Sequence, residues 1–148
     1  MATKYGKYIM REPHAPWTSM DPQPKGPMPT SIRVNSKLIS TINCDFAFVG
    51  MTQPSDSAKG TGHPSHKHDV DEYLFFIGGN PENILDFGAE IELILGEGKD
   101  KEVHIINSCS VVYVPKGLAH LPITFKKVDK PVLFGHLLIA PDYSEIRD

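Results

Sequence analysis

The chain is poor in the features that would place it outside the cell, in a membrane or on nucleic acid. Only two of its 148 residues are cysteine, Cys44 and Cys109. They stand far apart, and no apolar segment follows the basic start Met1-Ala2-Thr3-Lys4, so a secretory signal is not expected. Both read as free thiols, small and buried, rather than as a disulfide. No apolar run approaches the length of a membrane span. Lys and Arg number 15 against 18 Asp and Glu, for a net charge of −3. Without a basic excess, a nucleic-acid partner is not expected either. Heptads, internal repeats and a long helical period are also missing. The expectation is one cytoplasmic domain, large enough to build its core without staples.

Proline is the residue the chain has in one place. Pro13, Pro16, Pro22, Pro24, Pro27 and Pro29 are six of the thirteen. Proline fixes φ and lacks the N–H a ladder needs, so residues 1–30 read as an irregular arm. That arm also holds Trp17, Met20 and Met28, apolar residues that want cover from the body or from a second copy.

From residue 31 to residue 148 the pattern is β. Ile32-Arg33-Val34-Asn35 alternates, and Cys44–Met51 is rich in Phe and Val. Residues 53–62 form a polar Gly/Ser loop. Tyr73–Ile77 is a nearly continuous apolar run, the mark of a strand buried on both faces. Asn80-Pro81-Glu82-Asn83 is a turn cluster, and Ile84–Phe87 fits one short helical turn. Ala89–Leu95 alternates, Gly96–Asp100 reads as a hairpin turn, and Val103–Ile106 answers it. Val111–Val114 and Pro131–Ala140 supply further strands, and Asp142–Asp148 reads as a polar tail. Many short strands with turn signals indicate a sandwich or barrel.

The chemistry gathers in two segments. The first is His66-Lys67-His68-Asp69-Val70-Asp71-Glu72, the second Pro115-Lys116-Gly117-Leu118-Ala119-His120. Side chains of a strand alternate faces, so His66, His68 and Glu72 share one parity and can enter one cavity if a short turn intervenes. His120 can close the set from a neighbouring strand. Three imidazoles and a carboxylate suit divalent Fe, Mn, Ni, Co, Cu or Zn. A lone His-x-His is usually chance; the added Glu72 and His120 favour metal ligation.

These segments resemble the two motifs of the cupin family. The first motif, Gly, five residues, His-x-His, three or four residues, Glu, six residues, Gly, is met from Gly60 through His66, His68 and Glu72 to Gly79. In the second, Pro115, Gly117 and His120 match, while Cys109 and Thr124 stand where Gly and Asn are expected. The resemblance spans a little under half the chain. It implies an antiparallel jelly-roll β-barrel with a metal inside. It implies no single reaction, since cupins include dioxygenases, isomerases, epimerases, decarboxylases, lyases, sugar binders and storage proteins. Small single-barrel cupins usually pair, so a homodimer is expected, with the arm near its interface.

The functional expectation is a metal-dependent enzyme on a small oxygen-bearing organic substrate, either oxygenating it or acting as a Lewis acid in isomerase, lyase or decarboxylase chemistry. The alternative is a non-catalytic cupin that binds or senses a small ligand. Glu72 is a ligand and a candidate base. His136 shares a face with Phe134 and Leu138 and is a candidate substrate-facing group. Leu74 and Phe76 share the ligand face and are expected to wall the cavity. Asp69 and Asp71 have the opposite parity and read as turn residues, or as groups orienting an imidazole N–H. Tyr113 reads as packing, His104 and His63 as solvated, and His14 has no visible partner.

Overall fold

The computed structural model describes residues 4–13, 31–56 and 64–147. The remainder of the proline-rich arm, with His14, Trp17, Met20 and Met28, lies outside them, as do Gly60 and His63.

Nine strands form two antiparallel sheets. They are β1 (Ser31–Val34), β2 (Asp45–Met51), β3 (Ser55–Asp56), β4 (Glu72–Gly78), β5 (Ala89–Leu95), β6 (Glu102–Ile106), β7 (Ser110–Val114), β8 (His120–Val128) and β9 (Val132–Leu138). One sheet has the order β1-β2-β9-β4-β7, the other β3-β8-β5-β6. Consecutive strands often pass from one sheet to the other, and the inner faces meet over a single core. This is the antiparallel jelly roll that the resemblance to the cupin motifs implies, within the sandwich-or-barrel class of the strand pattern. Among the described residues the only helical pieces are two three-residue 3₁₀ turns, Gly6–Tyr8 and Gly98–Asp100.

Alternation decides which side chains enter. On β4, Glu72, Leu74, Phe76 and Gly78 are buried and the residues between them are half-buried. The apolar run Tyr73–Ile77 is therefore not buried on both faces: Tyr73, Phe75 and Ile77 line an outer surface, where Tyr73 packs on Tyr113 with ring centroids 5.4 Å apart. On β5, Ala89, Ile91 and Leu93 point inward. They meet Leu74, Phe76, Val114, Leu121, Ile123, Phe125 and Val132 in one cluster. Several of these are fully buried, and each buried aliphatic or aromatic side chain contributes about 1.5–3 kcal/mol.

Four local expectations need correction. Residues 84–87 form turns and no helix, with Asn83 Oδ1 accepting the Leu85 N–H and leaving Ile84 and Leu85 exposed. Cys44 and Cys109 are free thiols, as expected, but half-buried rather than buried. Leu74 and Phe76 share the ligand face but pack into the core instead of walling a cavity. The segment after Ala140 is no solvated tail. Pro141 O accepts the Ser36 N–H at 2.8 Å, and Ile146 exchanges two backbone hydrogen bonds with Lys67, at 2.8 and 3.0 Å.

Candidate metal centre

The two distant motifs are drawn together by backbone hydrogen bonds. His66 pairs with His120, each N–H donating to the other's carbonyl at 3.1 and 3.0 Å. Gly117 N–H donates to His68 O at 2.9 Å. His120 is the first residue of β8 and Glu72 the first of β4, so both lie at the same end of the jelly roll. The His66–Glu72 segment is two isolated bridges, at His66 and Lys67, followed by a bend rather than a regular strand. Parity nonetheless survives: His66, His68 and Glu72 are buried, while Lys67, Asp69, Val70 and Asp71 are not.

The side chains converge. One ring nitrogen each of His66, His68 and His120 can be chosen so that all lie within 4.8 Å of one another. Glu72 Oε2 is 2.8 Å from His120 Nε2 and 3.5 Å from His68 Nε2. The other ring nitrogens face backbone carbonyls: His66 Nδ1 lies 3.0 Å from Pro64 O, His120 Nδ1 lies 3.2 Å from Leu118 O, and His68 Nδ1 meets Ser144 O. A carbonyl can only accept, so each Nδ1 carries a hydrogen, and in its neutral form each ring presents a lone pair at Nε2. That is the arrangement by which an outer partner fixes a metal-binding imidazole. The carbonyls do the orienting, which leaves Asp69 and Asp71 to the turn alternative. Asp71 instead accepts the Lys116 N–H at 2.9 Å, and Asp69 is exposed.

Two atoms test whether an ion fits. His68 Nε2 and Glu72 Oε2 are buried and form no well-aligned hydrogen bond, although they lie 3.5 Å apart and Glu72 Oε2 is 2.8 Å from His120 Nε2. An unsatisfied buried polar atom costs about 1–3 kcal/mol. A divalent cation among these donors would satisfy both at once, and imidazole plus carboxylate is a donor set suited to first-row transition ions.

Electrostatics keeps Glu72 ionised and His66 neutral while favouring a proton on His68. Burial pushes the Glu72 carboxyl up, but the His120 and His68 imidazoles against it outweigh burial and hold it below the usual carboxylate range. Burial, with the nearby His120, lowers His66 to about 4. Burial also opposes the charge of His68, yet Glu72 and the Ser144 carbonyl leave that ring above its ordinary value.

Residues 142–147 were not anticipated at the site. The Tyr143 hydroxyl lies 3.0 Å from His66 Nε2, and its ring stacks edge-on to His68 at 5.1 Å. Burial and the adjacent Glu145 push the phenol well above its ordinary pKa, so it stays protonated. The Glu145 side chain is buried, 4.0 Å from His66 Nδ1, and bonded to Arg147 Nε at 2.7 Å. The sequence clue was an aromatic residue within an otherwise polar stretch.

His136 does face the interior. It pairs with Leu74 on β4 and Ala47 on β2, both buried. Its Nε2 lies 3.1 Å from Asp45 Oδ1, and its ring is 5.7 Å from that of Tyr143. Asp45 also accepts from Arg33 Nη2 at 2.9 Å and Asn35 Nδ2 at 2.8 Å. Burial raises the Asp45 carboxyl, but His136, Arg33 and Asn35 together lower it to about 2. Neither Arg33 nor Asp45 stood out in sequence, although a charge inside an apolar strand is a usable signal. Tyr113 lies on the outer surface and His104 is exposed beside Glu102. Against the outer side of His66 lies a polar cavity of about 270 Å³, lined in part by Lys67, Glu97, Lys101 and Ile146.

No protein-family model and no curated protein matches the chain. Solved structures do. A Bacillus subtilis oxalate decarboxylase described by its Mn(II) centres is 12% identical with a TM-score of 0.56, covering 99% of this chain and 37% of its own. A recombinant oxalate oxidase in complex with glycolate is 9% identical with a TM-score of 0.56, covering 95% and 63%. A Lactobacillus farciminis oxalate decarboxylase formate complex is 14% identical with a TM-score of 0.55, covering 82% and 32%. The chain thus spans less than two thirds of the length of each of these structures. At such identities the likeness is one of fold. Taken with the two motifs and the nine-strand topology, it makes this chain a cupin-fold protein.

Proposed function

We propose that the chain is a metal-dependent cupin enzyme acting on a small oxygen-bearing acid, with His66, His68, Glu72 and His120 as the ligands. The observation that carries this reading is the buried convergence of three pre-oriented imidazoles and the Glu72 carboxylate, in which His68 Nε2 and Glu72 Oε2 find no well-aligned hydrogen bond. When bound, a divalent ion would supply Lewis acidity to a chelating substrate or a centre for its oxidation.

The chain's own residues have separable tasks. The carbonyls of Pro64, Leu118 and Ser144 hold three imidazoles in one tautomer. Glu72 stays ionised as a ligand and is placed to take a proton if it detaches. His136, held by Asp45, offers a fourth imidazole on the inner face. Lys101 lines the cavity beside His66, where Lys67 is paired to Glu97 at 2.9 Å. The solved neighbours are oxalate enzymes, described with glycolate or formate in two cases, and small carboxylates of that kind are the substrates to try first.

The test is elemental analysis of the purified chain and of His68→Ala, then oxygen uptake and carbon dioxide release with a panel of small chelating acids. One equivalent of a transition metal, lost in His68→Ala, together with turnover of an acid supports the reading. Full occupancy in His68→Ala rejects the ligand set.

A binding protein without turnover is the second reading. Tyr143 and the pinned 142–147 segment close over His66 and favour it. Tight binding of an acid with no turnover would decide for it.

A further inference from the structure

The segment Asp142–Arg147 is a strap fixed on both sides of the metal centre. At one end, Pro141 O accepts the Ser36 N–H, Asn35 Nδ2 donates to Asp142 Oδ1 at 3.2 Å, and Lys37 pairs with Asp142 at 3.2 Å. At the other, Ile146 and Lys67 exchange two backbone bonds. Between these anchors, Ser144 gives its carbonyl to His68 Nδ1, and Tyr143 brings its hydroxyl to His66 Nε2. The Arg33 guanidinium stands 5.8 Å from the centre of the Tyr143 ring and helps hold it there.

The direction of the Tyr143 bond follows from the tautomer. With the hydrogen of His66 on Nδ1, toward Pro64 O, Nε2 has a lone pair and the phenol donates to it. A metal ion needs the same lone pair. We propose that Tyr143 and the metal compete for His66 Nε2, so that the strap must withdraw the hydroxyl when the ion is bound. The proposal rests on the metal-site reading above and adds a residue no motif contains. The displaced hydroxyl is not stranded, because it already contacts the Glu145 carboxylate, which can then take its hydrogen. The strap therefore plays opposing parts: Ser144 prepares His68 for metal, and Tyr143 opposes metal at His66.

The experiment compares the full chain with its Tyr143→Phe variant, each stripped by chelation and titrated with Zn²⁺ in a calorimeter. Loss of one net hydrogen bond from the metal-free state corresponds to about a three- to tenfold gain in affinity. Equal or weaker binding in Tyr143→Phe, with the wild type still binding one ion, overturns the competition and leaves the metal site standing. No binding by either chain removes the metal reading and the competition with it. A second readout is the ¹⁵N resonance of His66 Nε2. In the metal-free chains it should differ between wild type and Tyr143→Phe; in the Zn²⁺-loaded chains the two should coincide. Identical metal-free resonances would overturn the proposal whatever the affinities.

Discussion

Asp45 Oδ1 and His136 Nε2 lie 3.1 Å apart between the paired strands β2 and β9, and the same carboxylate neutralises the fully buried Arg33. Through Arg33 the pair ties β1 to β2 and β9. Removing one partner of a buried charge pair strands the other, which costs about 3–5 kcal/mol. Asp45→Ala should therefore lose stability on that scale in urea unfolding. The double variant Asp45→Leu, Arg33→Met should recover much of it, since no charge is then left unpaired. If the single and double variants are equally unstable, packing rather than charge explains the network.

The same carboxylate sets an acid limit. Its folded pKa of about 2 lies below the ordinary 3.8. A depressed acid contributes stability above its unfolded pKa and loses it as pH falls through the folded value. The difference amounts to about 2 kcal/mol. Wild type should therefore lose about that much relative to Asp45→Asn between pH 4 and pH 2, measured by urea midpoints on the metal-free chain. A gap between the two that does not change with pH would show that Asp45 acts without its charge.

The four ligand candidates were legible because their signals are local. Parity in one segment and Pro-x-Gly-x-x-His in another needed no knowledge of the fold. What escaped was long-range. Tyr143 and Ser144 reach the centre only because Pro141 is tied to Ser36 and Ile146 to Lys67, and neither tie leaves a periodic trace in residues 141–147. The nine-residue strand β8 alternates at Leu121, Ile123 and Phe125 but is masked by Pro122, which a strand seldom holds, and by the exposed Lys126-Lys127. Tyr73–Ile77 misled in the opposite direction. An outer sheet surface rich in Tyr, Phe and Ile looks in sequence like a second buried face.

The last glycine of the first motif has a steric role. A Cβ on Gly79 would stand 2.5 Å from Pro131 O and 2.9 Å from its carbonyl carbon, and the Gly79 N–H donates to that same oxygen at 2.9 Å. Backbone cannot retreat as a side chain would. Gly79→Ala should cost about 1–3 kcal/mol through displacement of the β4–β9 connection. Thermal unfolding measures it, and a variant as stable as wild type would mean that residues 129–131 shift freely.

The glycine of the second motif has a conformational role. Gly117 has φ of +81°, and no described atom lies within 4 Å of where a Cβ would stand, so a substitution there meets strain and no clash. Leu118 N–H closes the turn on Pro115 O at 3.0 Å, Asp71 holds the Lys116 N–H, and Gly117 N–H binds His68 O. The turn thus delivers His120 to the ligand strand, with Leu118 O orienting its ring. Gly117→Ala should destabilise by about 1–2 kcal/mol and weaken Zn²⁺ binding. Gly117→Asn should do less of both, because asparagine tolerates the left-handed region better than alanine. The ordering Gly, then Asn, then Ala in both unfolding and calorimetry is the expected outcome. Loss of metal affinity without that ordering would place the effect of Gly117 outside its backbone angle.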